Sequence, residues 1–184
     1  MISKIGVVGA GQMGNGIAQV AAGVGFSVVM TDVSSAQLER GMQTIAASCD
    51  RLIKKEKMTD VEKKALLGRI QTGTSFDALK DCELVIEAAT ENIDLKLKIF
   101  SELDRVVNSQ ALLCSNTSSI SITKIAGVTK RPEKVAGMHF MNPVPLMTLV
   151  EGIRGLQTAD ETFKAVATVA EKMGKVFIEG RDMP

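Results

Sequence analysis

Gly9-Ala10-Gly11-Gln12-Met13-Gly14 follows the short apolar run of residues 4–8 and places three glycines in the pattern G-x-G-x-x-G. Apolar and small side chains then recur at helical spacing over residues 12–25. A second apolar run, residues 27–31, ends at the acid Asp32. A strand, a glycine turn, a helix and a second strand closed by an acid together predict a dinucleotide-binding βαβ unit.

Each glycine of this loop has a separate expected role. Gly9 allows the tight turn, Gly11 lets the backbone approach a pyrophosphate, and Gly14 lets the helix pack close to the strand. The free N–H groups at the start of the helix favour a bound phosphate. Asp32 is expected to accept hydrogen bonds from the adenosine ribose hydroxyls, which favours NAD over NADP. The alternative is a plain turn followed by a solubilising acid at a strand end.

The rest of the chain repeats the alternation of strands and helices. Two helical stretches, residues 34–57 and 59–67, follow the second strand and are longer than a plain crossover needs, so they predict a projecting helical hairpin. Further strands are predicted at residues 84–88, 111–114, 134–139 and 175–178, and further helices at residues 92–107, 120–126 and 160–173. This order predicts an α/β fold, a Rossmann-type doubly wound and mainly parallel sheet with helices on both faces.

Composition excludes several classes of protein. The chain has 184 residues and a formal net charge of +1, so no basic excess favours nucleic acid as its main partner. Six Phe and no Trp or Tyr suit an aliphatic core around a parallel sheet. No apolar run reaches the length of a membrane span, and a soluble cytoplasmic protein is expected. The three cysteines are irregularly spaced, which predicts buried reduced thiols and no metal site.

Candidate catalytic residues lie after the predicted strands. His139, the only histidine, closes one strand and is the one candidate for a histidine general base, although a hydrogen-bonded core histidine fits equally well. The polar run 115–119 follows another strand and equally suits a helix cap. Glu151 closes the apolar run 146–150, where the alternative is an exposed strand-end acid. Glu91 lies near the predicted start of a helix, and the alternative to a functional role is that it simply caps this helix.

Taken together, these segments resemble a known family. The glycine loop, Glu87-Ala88-Ala89-Thr90-Glu91-Asn92, Ser115-Asn116-Thr117-Ser118-Ser119 and His139-Phe140-Met141-Asn142-Pro143-Val144-Pro145 match motifs of the short-chain 3-hydroxyacyl-CoA dehydrogenases. The resemblance runs over residues 4–184 and implies that residues 1–184 form one NAD-binding domain of such an enzyme. The last of these motifs is the most specific, and it favours the catalytic reading of His139.

The resemblance implies the following roles. His139 takes the proton of the substrate 3-hydroxyl, Glu151 orients and stabilises its imidazole, and Ser118 hydrogen-bonds the substrate oxygen. Besides the glycine loop and Asp32, the positions implied to contact NAD are Glu91, Lys96, Asn116 and Asn142. Positions on the hairpin implied to meet coenzyme A are Ser48 and Lys55, and the lysines near its tip suit the phosphates of that ligand. A solvated helical face is the alternative reading of those lysines.

The family continues beyond this stretch with a helical domain that covers the acyl-CoA and makes most of a dimer contact. We therefore expect the sequence to be a truncated chain that binds NAD with little or no turnover. The implied reaction of the parent, which would form a homodimer, is reversible oxidation of (S)-3-hydroxyacyl-CoA, with 3-hydroxybutyryl-CoA and acetoacetyl-CoA as the substrate pair. Three alternatives stay open: a β-hydroxyacid-type dehydrogenase acting on free hydroxy acids, a non-catalytic NAD-binding module, and a piece of a multifunctional β-oxidation protein.

Overall fold

The computed structural model describes residues 1–182, which form one sheet with helices on both of its faces. Eight strands are ordered β3-β2-β1-β4-β5-β6-β7-β8 across the described sheet. Their bounds are β1 Lys4–Val8, β2 Ser27–Thr31, β3 Ile70–Gly73, β4 Leu84–Glu87, β5 Leu112–Ser115, β6 Val135–Phe140, β7 Leu149–Arg154 and β8 Val176–Arg181. The predicted fold class is confirmed.

The helices follow the predicted pattern, and four of those in the described part of the chain begin after a residue whose side chain caps the helix. Their bounds are α1 Gln12–Gly23, α2 Ser35–Lys54, α3 Asp60–Gly68, α4 Ile93–Val106, α5 Ile122–Ala126 and α6 Asp160–Lys172. Oxygens of Ser34, Thr59, Asn92 and Ser121 accept N–H groups in the first turns of α2, α3, α4 and α5. Helix α1 begins at Gln12, and Gly11 before it has no side chain to cap the helix.

The sheet changes direction at β1, and this sets the position of a ligand crevice. From β1 the chain proceeds to β2 and β3 on one side, and returns to β4 on the other side. The carboxyl ends of β1 and β4 therefore lie side by side where the two halves diverge. Ligands of open α/β sheets bind at such a switch point.

Two strands lie outside the predicted alternation. The edge strand β3 pairs parallel with β2, and β7 pairs antiparallel with β6. Glu151 therefore lies within a strand and does not close one, because β7 continues through Arg154. The four residues of β3 follow α3 so closely that their local pattern resembles a helix end.

The core is aliphatic, as the composition predicts. Buried side chains form one cluster on each face of the sheet, built largely from Val, Ile, Leu and Ala. All three cysteines are free and buried, and desolvation raises the pKa of Cys114 to about 12. The expectation of buried reduced thiols is confirmed. Within residues 1–182, no helix has both the length and the apolar character that a membrane crossing requires.

The helical hairpin α2–α3 packs along α1 at its base. Leu38, Gly41 and Ile45 of α2 are buried, and a Cβ at Gly41 would lie 3.0 Å from the carbonyl oxygen of Ala10. The tip of the hairpin, residues 54–57, is exposed. The hairpin thus stands against the glycine loop at one end and projects into solvent at the other.

Candidate functional site

The glycine loop has the geometry that its sequence predicts. Gly9 adopts φ 101°, and a Cβ there would lie 2.7 Å from the carbonyl oxygen of Ala88. A Cβ on Gly14 would lie 1.8 Å from the carbonyl oxygen of Gly9, so no side chain fits between α1 and the loop. A Cβ on Gly11 would meet nothing within 4 Å, so this glycine faces open space. Two glycines are thus required by the fold, and the third leaves room for a ligand.

Asn15 stabilises this loop from inside α1. Its side-chain amide donates to the carbonyl oxygen of Gly11 at 2.7 Å, and the residue is buried. Because α1 has no side-chain cap, the N–H groups of its first turn stay available to an external acceptor. Free amides at the positive end of a helix suit a phosphate, and the loop therefore fits the pyrophosphate of a dinucleotide.

Asp32 connects the glycine loop to the start of α2. Its two carboxylate oxygens accept the N–H groups of Ala10 and Ser34, each at 3.0 Å. Beside it lies a cleft of about 610 Å³, whose apolar lining includes Val33, Phe76 and Leu95. An acid next to an apolar cleft of this size fits the ribose and the adenine ring of an adenosine.

The sequence did not reveal most of the lining of this cleft. Phe76 and Leu95 come from two segments that are separated by β4, and neither belongs to a recognisable motif. Lys98 lines the same cleft from one turn further along α4. Only the folding of the sheet brings these side chains together, so no local signal marks them.

The loops after β4 and β5 lie side by side, next to the switch point between β1 and β4. Thr117 Oγ1 donates to Glu91 Oε2 at 2.8 Å, which joins the two loops directly. Asn92 caps α4, since its side chain accepts the Leu95 N–H at 2.9 Å, and Glu91 is therefore not the cap. Ser118 is exposed on the second loop.

Two residues predicted to contact the cofactor, Asn116 and Lys96, are buried and bind other groups of the chain. Asn116 is buried, and its side-chain oxygen accepts the N–H of Phe140 at 2.8 Å, next to His139. Lys96 is 1% exposed and forms an ion pair with Glu87, which is fully buried. The structure thus places Lys96 against the last residue of β4, in the buried layer next to the two loops.

His139 and Glu151 form a hydrogen-bonded pair across β6 and β7. The two residues lie directly opposite each other in the antiparallel register, and His139 Nδ1 lies 2.9 Å from Glu151 Oε2. A carboxylate can only accept, so Nδ1 carries the proton and Nε2 is the free basic nitrogen. Both side chains are partly exposed. This pair can accept and return a proton at Nε2 while the carboxylate stabilises the charged imidazole.

The loop after His139 is held by a lysine that sequence reasoning missed. Lys175 is buried, and its ammonium donates to the carbonyl oxygens of Val144 and Met147, each at 2.6 Å. Burial lowers the pKa of Lys175. Val144 packs against Gly16 of α1, where a Cβ would approach it to 2.9 Å. The exposed Asn142 lies on this loop. No sequence pattern marks a lysine between a helix and a strand as buried.

A second cleft lies between α1, α2 and this loop. It has a volume of about 320 Å³, and its lining includes Ser48, Arg51, Lys55 and Asn142. Ser48 also accepts a hydrogen bond from Gln19 at 3.0 Å, which joins α2 to α1. The predicted hairpin positions and the loop after His139 thus lie on one cleft with a basic side.

The switch point, the glycine loop, the acid after β2 and the adenosine-sized cleft define an NAD-binding domain of the Rossmann type. The histidine–carboxylate pair at the same edge of the sheet adds a group capable of proton transfer. A domain of this class supplies cofactor binding to a dehydrogenase.

Comparison with known proteins defines the family. Residues 4–183 match the model of the NAD binding domain of 3-hydroxyacyl-CoA dehydrogenase. The chain therefore belongs to the 3-hydroxyacyl-CoA dehydrogenase family, and its cofactor is NAD. The expected family resemblance is confirmed over essentially the whole chain.

Individual relatives are similar over the full chain but are longer. A 3-hydroxybutyryl-CoA dehydrogenase of Bradyrhizobium diazoefficiens is 50% identical over 184 residues, which are 100% of this chain and 63% of that protein. The crystal structure of (S)-3-hydroxybutyryl-CoA dehydrogenase from Ralstonia eutropha is 54% identical and matches with a TM-score of 0.98, over 100% of this chain and 65% of that chain. The chain thus spans less than two thirds of the length of these relatives.

Proposed function

We propose that this chain supplies the NAD-binding and proton-transfer part of an enzyme that reversibly oxidises (S)-3-hydroxyacyl-CoA to 3-oxoacyl-CoA. The observation that supports it best is the 2.9 Å contact between His139 Nδ1 and Glu151 Oε2 at the edge of the sheet that carries the glycine loop. Relatives named 3-hydroxybutyryl-CoA dehydrogenase, 50% identical over this chain, favour 3-hydroxybutyryl-CoA and acetoacetyl-CoA as the substrate pair.

In the proposed reaction, proton transfer belongs to the chain itself. His139 Nε2 takes the proton of the substrate 3-hydroxyl, and Glu151 stabilises the imidazolium that forms. Bound NAD would supply the acceptor for the hydride that leaves C3. Ser118, exposed on the loop after β5, donates a hydrogen bond to the substrate oxygen. In the reverse direction the imidazolium returns its proton to the same oxygen.

We propose that cofactor contacts come from the residues that the crevice exposes. The N–H groups of the glycine loop hold the pyrophosphate, and Asp32 accepts the adenosine ribose hydroxyls. Glu91 and Asn142 are both exposed and serve the nicotinamide half. The side-chain oxygen of Asn116 already accepts the N–H of Phe140, so Asn116 would contact the nicotinamide half through its side-chain NH2 group.

The cleft between α1 and α2 suits the coenzyme A part of the substrate. Arg51 and Lys55 give this cleft two positive charges, which complement the phosphates of coenzyme A. Ser48 and Gln12, the first residue of α1 after the glycine loop, line the same cleft. A thioester bound here would extend from the hairpin toward the nicotinamide.

We propose that turnover also needs the region that the longer relatives carry beyond the matched part. Val176 and Ile178 are 60% and 44% exposed, and Ile178 pairs with Glu151 in the sheet register. An uncovered apolar strand beside the proton-transfer pair leaves water free to reach it. The region beyond the match would cover this face and take part in a homodimer, so the chain alone would bind NAD with little or no turnover.

Two proteins test the proposal: the 184-residue chain, and the same chain extended by the region that the Bradyrhizobium relative has beyond the match. Both are titrated with NADH in a calorimeter, and both are assayed for NADH oxidation by acetoacetyl-CoA and by free acetoacetate. We expect both to bind NADH and only the extended chain to reduce acetoacetyl-CoA. Equal rates on free acetoacetate would instead support a dehydrogenase of free hydroxy acids.

A further inference from the structure

The loop between β6 and β7 forms one wall of the cleft that lies along α1 and α2. The loop covers residues 141–148, between the strand that carries His139 and the strand that carries Glu151. Its residues 142–146 line the cleft together with residues of α1 and α2. The position of this loop therefore sets the width of the cleft next to the proton-transfer pair.

The loop is held only in part by its own hydrogen bonds. Pro143 and Pro145 have no N–H group to donate. The N–H groups of Leu146 and Met147 both donate to the carbonyl oxygen of Pro143, each at 3.0 Å. This turn leaves the carbonyl groups of Val144 and Met147 to be satisfied by a donor from outside the loop.

Lys175 is that donor, and it does not itself line the cleft. It lies between α6 and β8, and its ammonium donates to the carbonyl oxygens of Val144 and Met147, each at 2.6 Å. The side chain is buried, and burial lowers its pKa. Within residues 1–182 no carboxylate forms an ion pair with this ammonium. A buried cation without a counter-ion costs stability, so its bonds to the loop are what distinguish it from an apolar residue at this place.

The same loop has a close packing contact with α1. Val144 is buried, and a Cβ on Gly16 would lie 2.9 Å from the Val144 side chain and 3.5 Å from Pro145. The loop is thus fixed by α1 through packing and by Lys175 through hydrogen bonds. Loss of the Lys175 bonds would let the loop shift relative to the side of the cleft that carries Ser48.

We propose that Lys175 is a positioning residue for the substrate: it fixes residues 143–147 so that the coenzyme A part of an acyl-CoA fits between this loop and α2. The inference rests on the proposed placement of coenzyme A in this cleft. Lys175 acts here through two backbone carbonyl groups and not through the attraction of its charge for phosphates.

This role has a distinct kinetic signature. The loop would contact a part of the substrate that does not react, and such a contact stabilises the bound substrate and the transition state equally. Its loss therefore raises KM and leaves kcat unchanged. A direct attraction between the ammonium and coenzyme A would instead depend on the phosphates of the substrate.

The experiment compares Lys175→Met with the unsubstituted protein, both in the chain extended by the region that the Bradyrhizobium relative has beyond the match. Methionine has no N–H group in its side chain, so both carbonyl groups lose their donor. NADH oxidation is measured with acetoacetyl-CoA and with acetoacetyl-pantetheine, which has the same thioester and no phosphate. We expect KM to rise about tenfold for both substrates, the range in which loss of a supporting partner weakens a site, while kcat changes by less than about threefold.

The cofactor end provides an internal reference for the same variant. The glycine loop and Asp32 make no contact with the loop that Lys175 holds. Calorimetric titration of NADH should therefore give a Kd within about threefold of the original.

Lys134→Met is the matched control. The ammonium of Lys134 donates to the carbonyl oxygen of Ser109 at 3.1 Å and to the side-chain oxygen of Gln110 at 2.8 Å. These residues precede β5 and lie at the opposite edge of the sheet from the cleft. Lys134→Met removes the same charge and the same kind of hydrogen bond, so KM for both substrates should stay within about threefold of the original.

A second variant keeps the test decisive if Lys175→Met does not fold. Lys175→Gln has an NH2 group that can donate to carbonyl groups, on a side chain that is one atom shorter. It reaches both carbonyl groups only if the loop moves, so KM should rise by at least about threefold, again equally for the two substrates. An unchanged KM in this variant would contradict the proposal.

Three results with Lys175→Met would overturn the proposal. A rise of KM confined to acetoacetyl-CoA would show that Lys175 acts through its charge on the phosphates. Unchanged KM values with a lowered thermal midpoint would reduce Lys175 to a structural role, and a fall in kcat alone would place its effect at the reacting atoms. If the unsubstituted extended chain does not reduce acetoacetyl-CoA, the proposed function fails first, and this inference fails with it.

Discussion

The two ends of the carboxyl edge of the sheet differ in how completely the chain encloses them. At the β1–β3 end, the glycine loop, Asp32 and the cleft of about 610 Å³ are built from contacts within the chain. At the β6–β8 end, His139 and Glu151 lie on a strand pair whose neighbour β8 exposes Val176 and Ile178. The cofactor end is thus preformed, whereas the His139–Glu151 pair lies beside a strand with exposed apolar side chains. Binding and turnover should therefore separate experimentally.

Removal of the proposed general base, His139, should separate binding from turnover most clearly. In the chain extended by the relative's remaining region, His139→Gln should lower the rate of acetoacetyl-CoA reduction by about 10²- to 10⁴-fold, because proton transfer loses its base. The affinity for NADH should not change, since His139 lies outside the glycine loop and the adenosine cleft. Steady-state kinetics together with calorimetric titration of NADH measure both effects. Residual activity near that of the original protein would contradict the assigned role.

Two glycine substitutions test the cofactor end. Gly14→Ala places a Cβ 1.8 Å from the carbonyl oxygen of Gly9, so we expect it to destabilise the fold by about 1–3 kcal/mol and to abolish NAD binding. Gly11→Ala meets nothing within 4 Å and should leave the thermal midpoint unchanged, yet weaken NAD binding because its methyl group occupies the pyrophosphate approach. Thermal unfolding and titration of both variants check the contrast. Unchanged NAD affinity in Gly11→Ala would place the cofactor elsewhere.

The charge of Asp32 should determine the choice of cofactor. Asp32→Asn keeps one side-chain oxygen as an acceptor but removes the carboxylate, and hydrogen bonds to a charged group contribute about 1.5–3 kcal/mol. We expect NAD affinity to fall by at least about tenfold and the preference for NAD over NADP to narrow, since the repulsion of a 2′-phosphate is lost. Parallel titrations with both cofactors measure the ratio. If the ratio of the NAD and NADP affinities does not change, the carboxylate of Asp32 does not determine the cofactor preference.

The smallest effect is expected at Asp182, which follows β8 and contributes to the stability of the fold. Burial alone would raise the pKa of Asp182, but hydrogen bonds from Thr123, Ile122 and Ser121 outweigh it and hold the pKa below its ordinary value. The carboxylate therefore stabilises the fold above pH 3.8, and this contribution is lost as the pH falls through the lowered pKa.

Asp182→Asn should accordingly lower the thermal midpoint slightly at neutral pH. The difference from the original chain should close in acid, and NAD affinity should stay the same because Asp182 lies away from the glycine loop. Thermal unfolding over a pH series is the measurement. If the two thermal midpoints still differ below the lowered pKa of Asp182, the effect comes from the changed packing or hydrogen bonding of the side chain and not from its charge.

The sequence predicted the cofactor end more fully than the catalytic end. The strand, the glycine loop, α1 and Asp32 occupy one continuous stretch of about thirty residues, the usual size of a βαβ unit, and each element is defined by local spacing. The bounds of α2, α3 and α4 agree with the predicted helices to within a few residues. Local patterns suffice there because the residues that make the loop are neighbours in the chain.

The pairing of strand β7 could not be predicted from the local sequence pattern. Its six residues do not alternate in a way that identifies a partner, and the antiparallel pairing with β6 is a long-range choice. Yet this pairing places Glu151 directly opposite His139. The resemblance implied that the two act together, but only the sheet register provides the contact.

The class of fold, the glycine loop and the identity of the groups available for chemistry follow from the sequence alone, because they depend on spacing along the chain. Which of those groups face the crevice depends on the three-dimensional fold. It buried Lys96 against Glu87, engaged Asn116 with Phe140, and held the loop after His139 through Lys175. Burial of a polar side chain depends on partners from distant segments that satisfy it, and no local pattern carries that information.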